Sequence, residues 1–243
     1  MHDTLLKPRE SIASDLFETA ADLIGEKGRL DEANSGACLP RDLYAHTDVQ
    51  TEWWYYTGHC HTAGGRQFGF ELVFFKRRTD RDQVGPIPLR MIANPMYAAH
   101  FAISDIDTGQ FRYEHKRSFG KPFDANVEMH EDQYMLRFGD WSAYEESGVH
   151  ILRATIPRHT IFDAALYSTK PPILNGKHGA GLTQKGNGSK SNHFSLTRMA
   201  IAGKIGPEGQ SERFVGSAWM DREYGTWGPE ELGLVQRSTR RWQ

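Results

Sequence analysis

Apolar and polar positions follow two different periods along this chain. Residues 11–25 place Ile12, Ala13, Leu16, Phe17, Ala20, Leu23 and Ile24 three and four apart. That spacing predicts one apolar stripe on a helix, ended by Gly25 and Gly28. A polar, glycine-containing stretch then runs to Pro40. From Glu52 the period falls to two. The segments Glu52-Trp-Trp-Tyr-Tyr-Thr-Gly-His-Cys60 and Arg66-Gln-Phe-Gly-Phe-Glu-Leu-Val-Phe-Phe75 are rich in aromatics, which suit a pleated, half-buried surface. Thr62-Ala-Gly-Gly65 lies between them and predicts a hairpin turn. In a strand, Phe68, Phe70, Leu72 and Phe74 share one face and Gly69, Glu71, Val73 and Phe75 the other.

The same pattern recurs downstream. A second hairpin is expected from Tyr97–Ile106 and Gln110–Arg117 around Asp107-Thr-Gly109. Further strands are expected over Asn126–Met129, Tyr134–Phe138, His150–Ile156, Thr160–Leu166, His193–Thr197, Met199–Ile205 and Arg213–Trp219. Consecutive strands at short spacing predict an all-β, antiparallel sandwich or barrel rather than an α/β fold. Lys170–Ser191 is rich in Gly, Lys, Asn and Pro and reads as a long surface loop.

Composition narrows the function. Of 243 residues, 38% are hydrophobic, 25% charged and 12% aromatic, the profile of a globular protein with room for a sizeable core. The aromatics suit either a plain core or an apolar ligand pocket. A formal charge of -2 provides no basic field for nucleic acid. No apolar run approaches the ~20 residues of a membrane span, and the first residues lack the plan of a signal peptide, so a cytoplasmic product is expected. Cys38 and Cys60 have no metal-ligand spacing and are expected as free thiols.

Familiar catalytic motifs are missing. The histidines form no HExxH, and there is no nucleophile elbow, phosphate loop or dinucleotide fingerprint. Two clusters remain. In Glu52–Tyr56, alternation puts Trp53, Tyr55, Thr57 and His59 on one face and Trp54, Tyr56, Gly58 and Cys60 on the other. One face lines a cavity, or both serve as core. In Trp219-Met-Asp-Arg-Glu-Tyr224, Asp221 and Glu223 point the same way if extended. Sharing an apolar site, two carboxyls would keep one proton near neutrality and supply a general acid. In a solvated turn they would merely pair with Arg222.

Taken in order, six segments resemble one family: His46-x5-Glu52-Trp-Trp-Tyr-Tyr-Thr-Gly58, Phe68–Phe75, Ala99–Asp105, Lys170-Pro-Pro, His193–Arg198 and Gly216–Asp221. The set is similar to the carotenoid 1,2-hydratase/AttH family (hydroxyneurosporene synthase-like, CrtC-type) over roughly residues 44–231. The resemblance implies two tandem lipocalin-like (calycin) β-domains with an apolar pocket near their junction. It implies a hydro-lyase that adds water to an isoprenoid double bond without metal or organic cofactor. The other function within the resemblance is a non-catalytic carrier of a lipophilic ligand, linked to a transporter. Carried over, Asp221 is the expected proton donor and His193 positions water. Trp53, Trp54, Tyr56, Phe70, His100 and Trp219 are expected to line the substrate site. His193-Phe194 stands where many relatives carry Tyr-Tyr, and Arg222 and Tyr224 where His and Trp are common.

The expected organisation is a helix and linker over 1–43, a first β-domain over 44–218, and the start of a second over 219–243. The tail from Gly233 resembles nothing in the family. One legal encoding of it, shifted by a base, reads Asp-Trp-Phe-Ser-Val-Gln-Leu-Asp-Asp-Gly, similar to the family's next strand. A frameshift near Gly233 that truncates the chain is therefore expected, with self-association through the surface left by the missing domain.

Overall fold

The computed structural model of the chain describes residues 38–80, 82–92, 94–120, 123–176, 181–184 and 189–227. The helix expected over residues 11–25 and the tail from Gly233 lie outside the described residues. The rest is all-β, as the period-two pattern predicts. Its strands are β1 (Thr51–Thr62), β2 (Gln67–Arg77), β3 (Gln83–Val84), β4 (Ile87–Pro88), β5 (Met96–Asp105), β6 (Phe111–Ser118), β7 (Val127–Met129) and β8 (Met135–Phe138). They continue with β9 (Trp141–Glu146), β10 (Val149–Ile156), β11 (Thr160–Ser168), β12 (Ile173–Leu174), β13 (Leu182–Gln184), β14 (Lys190–Gly206) and β15 (Glu212–Gly225).

One antiparallel sheet runs β6-β5-β2-β1-β15-β14-β11-β10-β9-β8-β7 and curls into a nearly closed barrel. β12 and β13 pair with the first half of β14, and β3 and β4 form a separate hairpin. Side chains bridge the open seam. Lys116 of β6 donates to the Phe138 carbonyl (3.2 Å), bonds Asp140, and lies 4.6 Å over the Trp141 ring. Strand β14 spans both segments expected around Arg198. A bulge between Leu196 and Met199 re-aims it from partner β12 to partner β11.

The inward face carries the core. Phe70 and Phe101 pack on Phe162 at ring distances of 4.9 and 5.5 Å, and Phe214 stacks on Phe162 at 5.4 Å. Such contacts add about 0.5–1.5 kcal/mol each beyond area burial. Gly58 lets two strands and a ring meet. A Cβ there would stand 2.7 Å from the Phe70 ring and 2.7 Å from the Ser217 carbonyl.

The expected domain boundary after residue 218 falls inside β15. Its pairing with β1 and β14 continues to Gly225, so residues 219–225 belong to the same sheet as β1. The expected loop over Lys170–Ser191 contributes β12 and β13, because Ile173, Leu174 and Leu182 find open backbone on β14.

Candidate functional site

Strand alternation sorts the candidate residues onto two faces. Register aligns Tyr55 of β1, Asp221 of β15 and Ser195 of β14 in one row, and Trp53, Glu223 and His193 in the next. By alternation all six lie on the face away from the barrel interior, where Ser195 and Glu223 are nevertheless buried. Trp54, Tyr56, Met220 and Arg222, one residue along, point inward and are fully buried. The outward set makes the candidate site, and the inward set supports it.

Asp221 is held by converging donors. Its Oδ1 accepts the Ser195 hydroxyl and the Trp219 indole N–H (2.7 Å). The Ser195 oxygen itself accepts an N–H from Asn175 at 2.7 Å, which commits the one serine proton to Asp221. Burial raises the Asp221 carboxyl, but the nearby His193 and the bonds from Ser195 and Trp219 outweigh it and hold the group below its ordinary range. Among the described residues Oδ2 accepts no hydrogen bond.

His193 lies between two carboxylates. Its Nε2 is 3.6 Å from Asp221 Oδ1 and its Nδ1 4.0 Å from Glu223 Oε2. Ser191 donates to Glu223. The His193 backbone is pinned on both sides, donating to the Gly181 carbonyl (2.8 Å) and accepting from the Asn175 N–H (2.9 Å). Trp219 is 39% exposed, so an apolar face reaches solvent beside the acid cluster. Trp53 stacks on Phe75 at 6.1 Å, and the Tyr55 hydroxyl donates to Glu71 at 3.2 Å.

Beneath this face is a buried ion cluster. Arg222 bonds Glu52 at 2.6 Å, and Lys76 bonds the other oxygen at 3.0 Å. Arg222 also donates to the carbonyls of Tyr44 (2.8 Å), Glu223 (3.1 Å), Asp42 (3.2 Å) and Trp53 (3.3 Å), and lies 4.0 Å over Trp54. His46 donates its backbone N–H to Glu52 (3.1 Å) and stacks on Tyr224 at 4.0 Å. Burial would raise Glu52, yet Arg222, His46 and Lys76 bring it down to about 2. Arg222 sits in sequence between Asp221 and Glu223, so this cluster fixes the strand that carries both.

The expected site residues therefore divide. Asp221, His193, Trp219 and Trp53 share the outward face. Trp54, Tyr56 and Phe70 do not; they fill the barrel interior, 0%, 0% and 3% exposed, because they occupy the other phase of the alternation. Tyr56 there bonds Tyr134 and His150 (2.8 Å to Nδ1). His100 is exposed on β5, three strands from β15, roughly 14 Å away at ~4.8 Å per strand, and it faces His115. Ser195 and Asn175 were missed. Ser195 had a signal, since it lies two residues after His193 and so on the same face. Among the described residues no group of three His, Cys, Asp or Glu side chains is arranged to hold a metal ion, and no helix is long and apolar enough to cross a membrane.

A nearly closed antiparallel barrel with a polar cluster on the outside of its central strands is a lipocalin-like architecture. The AttH-like family profile matches residues 32–233, and the chain belongs to that family. Its fold is similar to a crystal structure assigned as an AttH from Nitrosomonas europaea, with TM-score 0.68 at 23% identity over 82% of this chain and 58% of that one. It is also similar to kievitone hydratase from Nectria haematococca, with TM-score 0.56 at 14% identity over 79% of this chain and 52% of that one. The chain thus spans little more than half the length of either. Among curated proteins none matches.

Proposed function

We propose that this chain is a cofactor-free, hydratase-like protein that adds water to the double bond of an apolar isoprenoid held on the outward face of β1, β14 and β15. The observation that carries this reading is an imidazole flanked by two carboxylates, His193 between Asp221 and Glu223, on a face edged by Trp53 and Trp219. Family membership and the fold shared with a hydratase support the reaction class. An acyclic carotene, the substrate the resemblance implies, has the required trisubstituted alkene.

The geometry favours an exchange of the roles expected from sequence. His193, Ser195 and Trp219 together hold the Asp221 carboxyl low, and delivery of the proton to the alkene is assigned to His193. Its transfer to the less substituted carbon leaves a tertiary cation beside the faces of Trp219 and Trp53, which stabilise positive charge. Water adds to the cation and gives up a proton to Asp221 Oδ2. Asp221 then releases that proton to solvent and His193 takes one up, since the 3.6 Å contact with His193 is made by Oδ1 and not by Oδ2. One water is consumed, one C–H and one C–O bond form, and nothing is oxidised or reduced.

Asp221→Asn keeps the shape and removes the base. With an acyclic carotene as substrate, turnover should fall at least ~100-fold, the scale of general acid–base catalysis, while ligand affinity changes less than about threefold. Full activity in the variant overturns this assignment. Ligand binding without turnover in the unaltered chain overturns the enzyme in favour of a carrier.

A further inference from the structure

At the end of the barrel away from Glu52, four turns converge: β1–β2, β5–β6, β10–β11 and β14–β15. They line an open cleft of about 270 Å³ whose lining includes Arg66, Asp105, Thr160 and the exposed Arg112, Arg158 and His159. Three guanidinium groups thus share a cleft with one carboxylate. Arg66 is already paired, with its Nε 2.9 Å from Asp105 and its Nη1 3.7 Å from Glu212.

The other two arginines are not so matched. Arg112 donates to His159 Nδ1 and to Gln110 Oε1, both at 2.7 Å. A guanidinium only donates, so His159 accepts through Nδ1 and carries its proton on Nε2. Both partners are uncharged acceptors, and they orient Arg112 without neutralising it. Among the described residues no carboxylate pairs with Arg112 or with Arg158.

Arg158 is also held in an unusual backbone state. Ile156-Pro-Arg-His159 is a turn closed by the His159 N–H on the Ile156 carbonyl (3.0 Å), with Arg158 at φ 65°. Proline at the second position and positive φ at the third define a type II turn, where glycine is the favoured third residue. A long cationic side chain at such a strained position points to a use for the side chain.

We propose that this cleft is a binding site for a small oxyanion, a phosphate group either free or carried by a small molecule. Arg112 and Arg158 would bind it through paired N–H donors, the geometry at which guanidinium excels, and the cleft has room for more than the phosphate itself. The site is distinct from the outward cluster: Glu212, beside Arg66 of the cleft, and Asp221 lie nine residues apart on β15, roughly 30 Å in a strand.

The test is calorimetric titration of the full chain with inorganic phosphate in chloride buffer at constant ionic strength. Saturable one-to-one binding is expected. Arg158→Gly suits the turn, so it should fold with an unchanged or higher Tm and bind phosphate at least about tenfold more weakly, the scale of one charge-assisted contact. Arg112→Gln should weaken it similarly. Glycerol 3-phosphate titrated in parallel separates the sources: tighter binding than phosphate identifies the ester, and weaker binding the free ion. Absence of saturable binding, or unaltered affinity in both variants, overturns the proposal.

Discussion

Replacing Glu52 by Gln should be among the most damaging single changes to the described fold. The side chain is 1% exposed and neutralises Arg222, itself 0% exposed, with Lys76 alongside. A carboxyl at about 2 rather than 4.5 corresponds to about 3 kcal/mol of stability at neutral pH, at ~1.4 kcal/mol per tenfold change in proton affinity. The folded value is depressed, so this contribution is complete above pH 4.5 and disappears as pH falls toward 2. Glu52→Gln also strands two buried cations, which brings the expected loss to about 3–5 kcal/mol. In a domain of this size that lowers Tm by roughly 6–20 °C. Urea and thermal unfolding followed by circular dichroism at pH 7 measure the loss, and a series from pH 5 to 2 measures its acid limb. A loss under about 1 kcal/mol, or the same limb in both proteins, would refute the reasoning.

Other consequences follow from the interior. Burial holds His150 down at about 4, so stability should fall as pH drops from 6.5 to 4, and His150→Gln should flatten that interval; an unchanged slope contradicts the burial. Cys38 is exposed, while burial pushes the Cys60 thiol up to about 12. A disulfide reagent should therefore titrate one thiol quickly in the native chain and the second only in urea. Gly58→Ala drives a methyl into the Phe70 ring and a backbone carbonyl and should cost about 1–3 kcal/mol. Gly64→Ala, whose nearest neighbour would be 3.7 Å away, should cost much less in the same melts.

Much of the fold was legible because strands in this chain alternate cleanly. The paired runs Trp53-Trp54 and Tyr55-Tyr56 gave both faces of β1. They could not say which face is inside, since both are aromatic, and the expected site consequently mixed Trp54, Tyr56 and Phe70 with Trp53 and Trp219. A solvated turn with Arg222 pairing its neighbours was one of two readings left open by the sequence. Only the register, which places Glu52 and Trp54 on β1 beside Tyr224 and Arg222, shows why a guanidinium is tolerated in the core. Strand β9 escaped notice because its short run ends in Tyr144-Glu-Glu146, and β12 and β13 were masked by the glycines and lysines around them. Ser195 shares a face with His193 by local spacing, but its bond to Asp221, and the bond of Asn175 to Ser195, arise from strand pairing between distant segments, which local spacing does not encode.

The central claim is that the outward Asp221–His193 face performs hydration and does not merely bind a ligand. Its most direct test is incubation of the chain with an acyclic carotene in ¹⁸O-labelled heavy water, followed by mass spectrometry of the product. The account predicts a tertiary alcohol carrying one ¹⁸O and one deuterium on the adjacent carbon, with both labels lost in Asp221→Asn. Recovery of bound, unlabelled carotene from the unaltered chain would contradict it.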